Sequence, residues 1–150
     1  MALVSEIMTK NPACCTPQTT VHEVAKMMKS FDCGEIPVVE SYGDKFIVGV
    51  LTDRDICLRV VAKGLDPKKT TVEECMTKNP IMISEGQDLE YCCQLMEENQ
   101  IRRVPVVDEA GECVGMLSLA DIVHFAKKDV TLELIKNVSR NSTTNPIFVS

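Results

Sequence analysis

The chain contains one stretch of itself twice. Met8-Thr9-Lys10-Asn11-Pro12 returns unchanged as Met76-Thr77-Lys78-Asn79-Pro80, 68 residues later. A repeat of this spacing means two copies of one supersecondary unit, each too small to bury its apolar face alone. The offset persists, carrying Val21, Val24, Ala25 and Met28 onto Leu89, Cys92, Cys93 and Met96, and Ile36-Pro37-Val38-Val39 onto Val104-Pro105-Val106-Val107. It then falls to 66: Gly49-Val50-Leu51-Thr52 aligns with Gly115-Met116-Leu117-Ser118, and Asp55-Ile56 with Asp121-Ile122. The two residues are lost around the turn signals Gly43-Asp44 and Ala110-Gly111, where a change of loop length costs least.

Each copy has the same layout. Apolar residues at 21, 24, 25 and 28, and again at 89, 92, 93 and 96, follow the i, i+3, i+4, i+7 spacing of an amphipathic helix with one buried stripe. Two β-branched runs follow, Glu35–Val39 and Phe46–Leu51 in the first copy, Arg103–Val107 and Cys113–Leu117 in the second, and read as hairpins. A second helix starts at Thr52 or Ser118 and in the first copy stops at Gly64, which suits a left-handed cap. Short strands are expected at Ala13–Cys15 and Ile81–Ile83. The fold class is α/β in the α+β sense: two pseudo-twofold related β-α-β-β-α repeats packed through their sheets. The division is 1–64 for repeat 1, 65–71 for a polar linker, 72–126 for repeat 2 and 127–150 for a C-terminal helix and tail. Within that last segment, Lys127 to Arg140 keeps a weak helical pattern through Val130, Leu134 and Val138, read as a packing or dimerisation helix.

Composition removes several classes of function. At 45% hydrophobic and 25% charged residues, the 150-residue chain lies far from the disordered corner. Sixteen Lys and Arg against 22 Asp and Glu leave a net charge of −6, so nucleic acid is not an expected partner. No apolar run approaches the roughly 18 residues of a membrane span, and Met-Ala-Leu-Val-Ser-Glu is no signal peptide. No membrane association and a cytoplasmic location are expected. The eight cysteines are read as thiols, and without Cys-x-x-Cys, and with only His22 and His124, no metal site is expected. No nucleophile motif, phosphate loop or zinc-protease motif occurs, so the chain is not expected to be an enzyme.

Chemistry concentrates at one junction, present twice. In Gly49-Val50-Leu51-Thr52-Asp53-Arg54-Asp55 and in Gly115-Met116-Leu117-Ser118-Leu119-Ala120-Asp121, a hydroxyl precedes an aspartate by three residues where a strand enters a helix. The plain reading is a capping box. The same geometry also presents free N–H groups to an anion and a carboxylate to a pair of ribose hydroxyls. The glycine three residues before each hydroxyl favours the second reading, because a ligand lying on the strand gains from an absent side chain.

At these residues the sequence resembles the tandem CBS-domain pair, or Bateman module, from about Val4 to Ala126. The resemblance rests on the duplicated Met-Thr-x-x-Pro opening, the Ile-Pro-Val-Val and Val-Pro-Val-Val strands and the two Gly-x-x-Thr/Ser-x-x-Asp junctions, twice in the same order. It implies a regulatory sensor that requires no cofactor and binds an adenosyl ligand (AMP, ADP, ATP or S-adenosylmethionine) in clefts between repeats. Asp55 and Asp121 would hold ribose hydroxyls, Thr52 and Ser118 phosphate, and Ile36, Pro37, Val104 and Pro105 would line the adenine slots. A homodimer is implied, with an effector protein as a further partner.

The halves differ in charge. Arg54 faces Ala120 in the alignment, and Gly34-Glu35 faces Arg102-Arg103. In the family a ligand gripped by one junction leans on the strand of the other repeat, which groups Thr52, Arg54 and Asp55 with Arg102 and Arg103 as the primary site. Three guanidinium groups suit a phosphate chain. The mirror grouping of Ser118, Ala120 and Asp121 with Gly34 and Glu35 is expected empty or filled by a less negative ligand. The competing readings are a ligand-free structural dimerisation or interaction module and a cysteine-based redox protein.

Overall fold

Both hairpins form where β-branched residues alternate on either side of a turn. In the computed structural model, which describes residues 2–125 and 134–139, β2 (Glu35–Val39) pairs antiparallel with β3 (Ile47–Thr52). Glu35 lies opposite Thr52 and Ile36 opposite Leu51, with a bulge between Val38 and Val39. The second hairpin joins β6 (Arg103–Val107) to β7 (Cys113–Ser118). Before each hairpin runs the expected helix, α2 (Val21–Phe31) and α5 (Leu89–Asn99). Thr20 caps the first by accepting from Glu23 N at 3.3 Å, and Asp88 the second by accepting from Tyr91 N at 2.8 Å. Helix α5 buries the whole predicted stripe, whereas α2 buries Val21 and Val24, leaves Met28 half-buried and exposes Ala25.

The opening segments are placed otherwise than sequence order suggests. Helix α1 (Val4–Ile7) and strand β1 (Thr9–Lys10) open the first copy, and α4 (Val72–Cys75) and β4 (Thr77–Lys78) open the second. Yet β1 pairs with β7, Thr9 opposite Met116, while β4 pairs with β3, Val50 opposite Thr77. The short helices follow the same exchange. Val4 N donates to Gln87 O at 2.8 Å at the start of α5, and Val72 N donates to Thr19 O at 2.8 Å at the start of α2. Two compact units result: one gathers the residues up to Lys10, Met82–Val106 and the described residues from Gly115 onward, the other Asn11–Ile81 and Val107–Val114. Strand order is β1-β7-β6-β5 in the four-stranded sheet, with β5 at Ile83–Ser84, and β2-β3-β4 in the three-stranded one.

The 65–71 segment is hydrogen-bonded to the start of α2. Thr70 is the one buried polar residue among those described, its Oγ1 donating to Asp66 O at 2.8 Å, and its own carbonyl and that of Pro67 accept from Val21 N and His22 N. After the second hairpin comes α6 (Leu119–Phe125). Residues 134–139 are helical, bury Leu134 and Val138, and tie back to α5 through Asn137 Nδ2 donating to Glu97 Oε1 at 2.8 Å. The rest of the expected helix from 127 to 140, and the tail after it, lie outside the described residues. Among the described residues no helix is long and apolar enough to cross a membrane.

The junction glycines have a packing reason. A Cβ on Gly49 would stand 2.8 Å from Thr77 O and 2.9 Å from Met76 Sδ; on Gly115 it would run into the Met8 side chain and stand 3.1 Å from Thr9 O. The duplicated methionine and the duplicated glycine are therefore two halves of one contact. Gly49→Ala is expected to cost about 1–3 kcal/mol of stability by overpacking, read as a lower urea midpoint. Trimming Met76 to Ala will not restore it, because the Thr77 carbonyl is backbone. Gly115→Ala will regain stability relative to Met8→Ala alone, since there the main obstacle is a flexible side chain.

Candidate functional site: two strand-to-helix junctions

Each junction is built by a strand whose last residue is already the cap of the next helix. Thr52 ends β3 and caps α3 (Asp53–Ile56): its Oγ1 accepts from Asp55 N at 3.0 Å, and Asp55 Oδ2 accepts from Thr52 N at 3.1 Å. Ser118 and Asp121 close the same box at 3.1 and 2.9 Å. The plain capping reading is thus correct for both, and both carboxylates are fixed at the first turn of a helix. The dipole there favours negative charge.

The first junction carries more than a cap. Thr77 Oγ1 donates to Asp55 Oδ1 and Oδ2 at 3.3 and 3.2 Å, and Arg59 Nη1 lies 3.8 Å from Oδ1. The Asp55 side chain is only 12% exposed. Arg59 sits on a π-helical turn, Cys57–Val61, that continues α3, and its Nη1 also donates to the carbonyls of Cys75 and Met76, both at 3.1 Å. Such turns recur at functional sites because they displace a side chain from its α-helical position. Arg59 and Thr77 were missed in the sequence. The available signals were that Arg59 follows Asp55 by four residues, an ion-pair spacing, and that Thr77 belongs to the duplicated pentapeptide. At the second junction the position of Arg59 is taken by Phe125.

The remaining expected site residues fall into two sets. Ile36, Pro37, Thr52, Arg54 and Asp55 belong to one compact unit, and Arg102, Arg103, Val104, Pro105, Ser118 and Asp121 to the other. Beside the first junction Asp53 N donates to Gly34 O at 2.9 Å, and beside the second Leu119 N donates to Arg102 O at 2.8 Å. Each junction is thus bonded to the start of its own hairpin's first strand. Arg54 and Arg102 are exposed and Arg103 is half-buried. Ile36 and Val104 are buried at 1% and 0% exposure, Ile36 within the core that holds Leu51 and Val60.

The sequence profile of the CBS domain matches residues 4–62 and 72–128. This chain belongs to the CBS-domain family. It is 40% identical over 143 residues to the CBS domain-containing protein YhcV of Bacillus subtilis, spanning 95% of this chain and 99% of that one. Among solved structures it is similar to the CBS domain protein PAE2072 from Pyrobaculum aerophilum complexed with AMP, with TM-score 0.76 and 28% identity over 90% of this chain and 99% of that one. It is also similar to the CBS domain pair of protein MJ0100 in complex with 5'-methylthioadenosine and S-adenosyl-L-methionine, with TM-score 0.72 and 29% identity over 83% and 94% of the two chains. The fold is that of a CBS-domain pair.

Proposed function

We propose that this CBS-domain pair is a stand-alone regulatory module that binds an adenosyl ligand (AMP, ADP, ATP or S-adenosylmethionine) through its two capped junctions and passes occupancy on to a partner or to dimer geometry. The observation that carries the reading is the duplicated cap with an aspartate in its first turn, in a family with members solved around AMP and around S-adenosylmethionine. Asp55 and Asp121 accept from the ribose hydroxyls, and Thr52 and Ser118 hold phosphate. Pro37 and Pro105, with Ile36 and Val104 buried beside them in the same strands, provide the apolar surround of the adenine. Arg54, Arg102 and Arg103 offset phosphate charge.

At the first junction the carboxylate already has partners within its own unit. Ligand entry exchanges the Thr77 hydroxyl and the Arg59 guanidinium for ribose hydroxyls, so binding there moves Arg59 and with it the π-helical turn. A ligand regulates only if it binds one of two states better, and this exchange supplies such a difference. The role is that of a cytoplasmic binding module acting as a homodimer, not of a catalyst. Equilibrium dialysis of AMP, ATP and S-adenosylmethionine against the purified chain tests it, with at least one expected to bind in the micromolar to low millimolar range, about −4 to −8 kcal/mol. No binding of any of the three at several times the top of that range would leave the ligand-free interaction module standing.

A further inference from the structure

A cysteine pair lies apart from the junctions. Asn11 N donates to Val114 O at 3.2 Å and Cys113 N to Lys45 O at 2.8 Å, so the segment ahead of α2 and the tip of the second hairpin meet within one compact unit. There Cys14, half-buried, packs against a small buried cluster of Val39, Ile47 and Cys113. Its Sγ donates to Pro12 O at 3.3 Å, and its thiol and that of Cys113 are hydrogen-bond partners. The other buried thiols are in a different state: burial pushes Cys15 and Cys92 up to about 12 and Cys93 to about 11. Cys14 goes the other way. The hydrogen bond from Cys113 holds it below its ordinary value against the opposing effect of burial, and the Lys45 ammonium adds to this. A thiol held below its ordinary value, partly exposed and beside a second thiol, is what selective oxidation requires.

We propose that Cys14 and Cys113 form a reversible disulfide when the protein meets a hydroperoxide. The Cys14 thiolate attacks one oxygen of hydrogen peroxide, the O–O bond breaks, and the departing hydroxide takes up a proton to leave as water. Cys14 is then a sulfenic acid. The Cys113 sulfur attacks the Cys14 sulfur, the S–O bond breaks, and hydroxide leaves with the Cys113 proton as a second water. Two thiols and one peroxide become one disulfide and two waters, and a dithiol reductant reverses the change. The bond pins the tip of the second hairpin, Val107–Val114, to the segment that leads into α2. It depends neither on the junctions nor on any nucleotide.

The test is non-reducing peptide mapping of the full reduced chain after stoichiometric hydrogen peroxide, with fragmentation to separate Cys14 from its neighbour Cys15. The expected product has lost two titratable thiols, contains one Cys14–Cys113 link and returns to eight thiols on treatment with dithiothreitol. Cys15→Ser and Cys57→Ser, the latter removing the exposed thiol, should leave the link intact, and Cys14→Ser should abolish it. Linkage through Cys15 or Cys57, oxidation of Cys14 without a link, or no loss of thiols would each overturn the proposal. Because the mapping is made on the unaltered protein, the outcome does not hinge on whether a Cys113 variant folds.

Discussion

Taking the reduced protein from about pH 8 to about pH 11 is expected to unfold it, with a steepness set by its buried thiols. Cys15, Cys92 and Cys93 are at most 7% exposed, and burial raises them from an ordinary 9.0 to about 12, about 12 and about 11; for Cys15 the neighbouring Cys14 and Cys75 add to the effect. The sign follows from proton counting. Below the unfolded value both states hold the thiol protons and the contribution to stability is complete. Above it the unfolded chain releases protons that the folded chain keeps, so stability falls until pH passes the folded value. Each thiol contributes about 1.4 kcal/mol per pH unit in that window. Three together come to about 4 kcal/mol per unit, against a total stability of about 5–15 kcal/mol for a domain of ordinary size. Urea denaturation at a series of alkaline pH values, followed by circular dichroism under reductant, measures the slope. Cys75 is a further buried thiol raised by desolvation, so Cys15→Ala or Cys92→Ala should each reduce the slope by up to about a third, whatever the substitution does to stability at neutral pH. An unchanged slope in both variants would mean that other groups govern alkaline unfolding.

The second large effect concerns the two aspartates. Asp55→Asn and Asp121→Asn keep an oxygen for the cap but remove the charge that makes a carboxylate a strong acceptor for a ribose diol. Hydrogen bonds to charged groups contribute about 1.5–3 kcal/mol each, so losing two of them lowers affinity at that junction by roughly a hundredfold or more. Stability should fall by no more than about 1 kcal/mol in Asp121→Asn, the usual scale of a weakened cap, and by more in Asp55→Asn, which also loses the charge that faces Arg59 and Thr77. The wide separation of the two readouts shows whether the carboxylate serves a ligand or only the helix. Affinity unchanged within about threefold in both variants would return the junctions to the capping role alone. Replacing Arg102 and Arg103 by Ala should weaken ATP more than S-adenosylmethionine, since the loss scales with phosphate charge.

What could be read from residues alone was whatever a few neighbouring positions encode. The hairpins, the stripe of α5 and the Thr/Ser-x-x-Asp boxes all depend on side chains close to one another along the chain, where periodicity and capping act. The repeat itself was legible because a duplicated segment can be recognised by self-comparison at a fixed offset. Tertiary structure alone decided the exchange by which β1 completes the sheet of β7 and β4 that of β3. No local pattern in Met-Thr-Lys says which of two similar hairpins it will join; packing of distant segments does. From that one pairing follow the demand for glycine at 49 and 115 under Met76 and Met8, the docking of Thr70 at the start of α2, and the placing of Thr77 on Asp55. Each of these contacts joins segments that are separated along the chain and meet only once the core has closed.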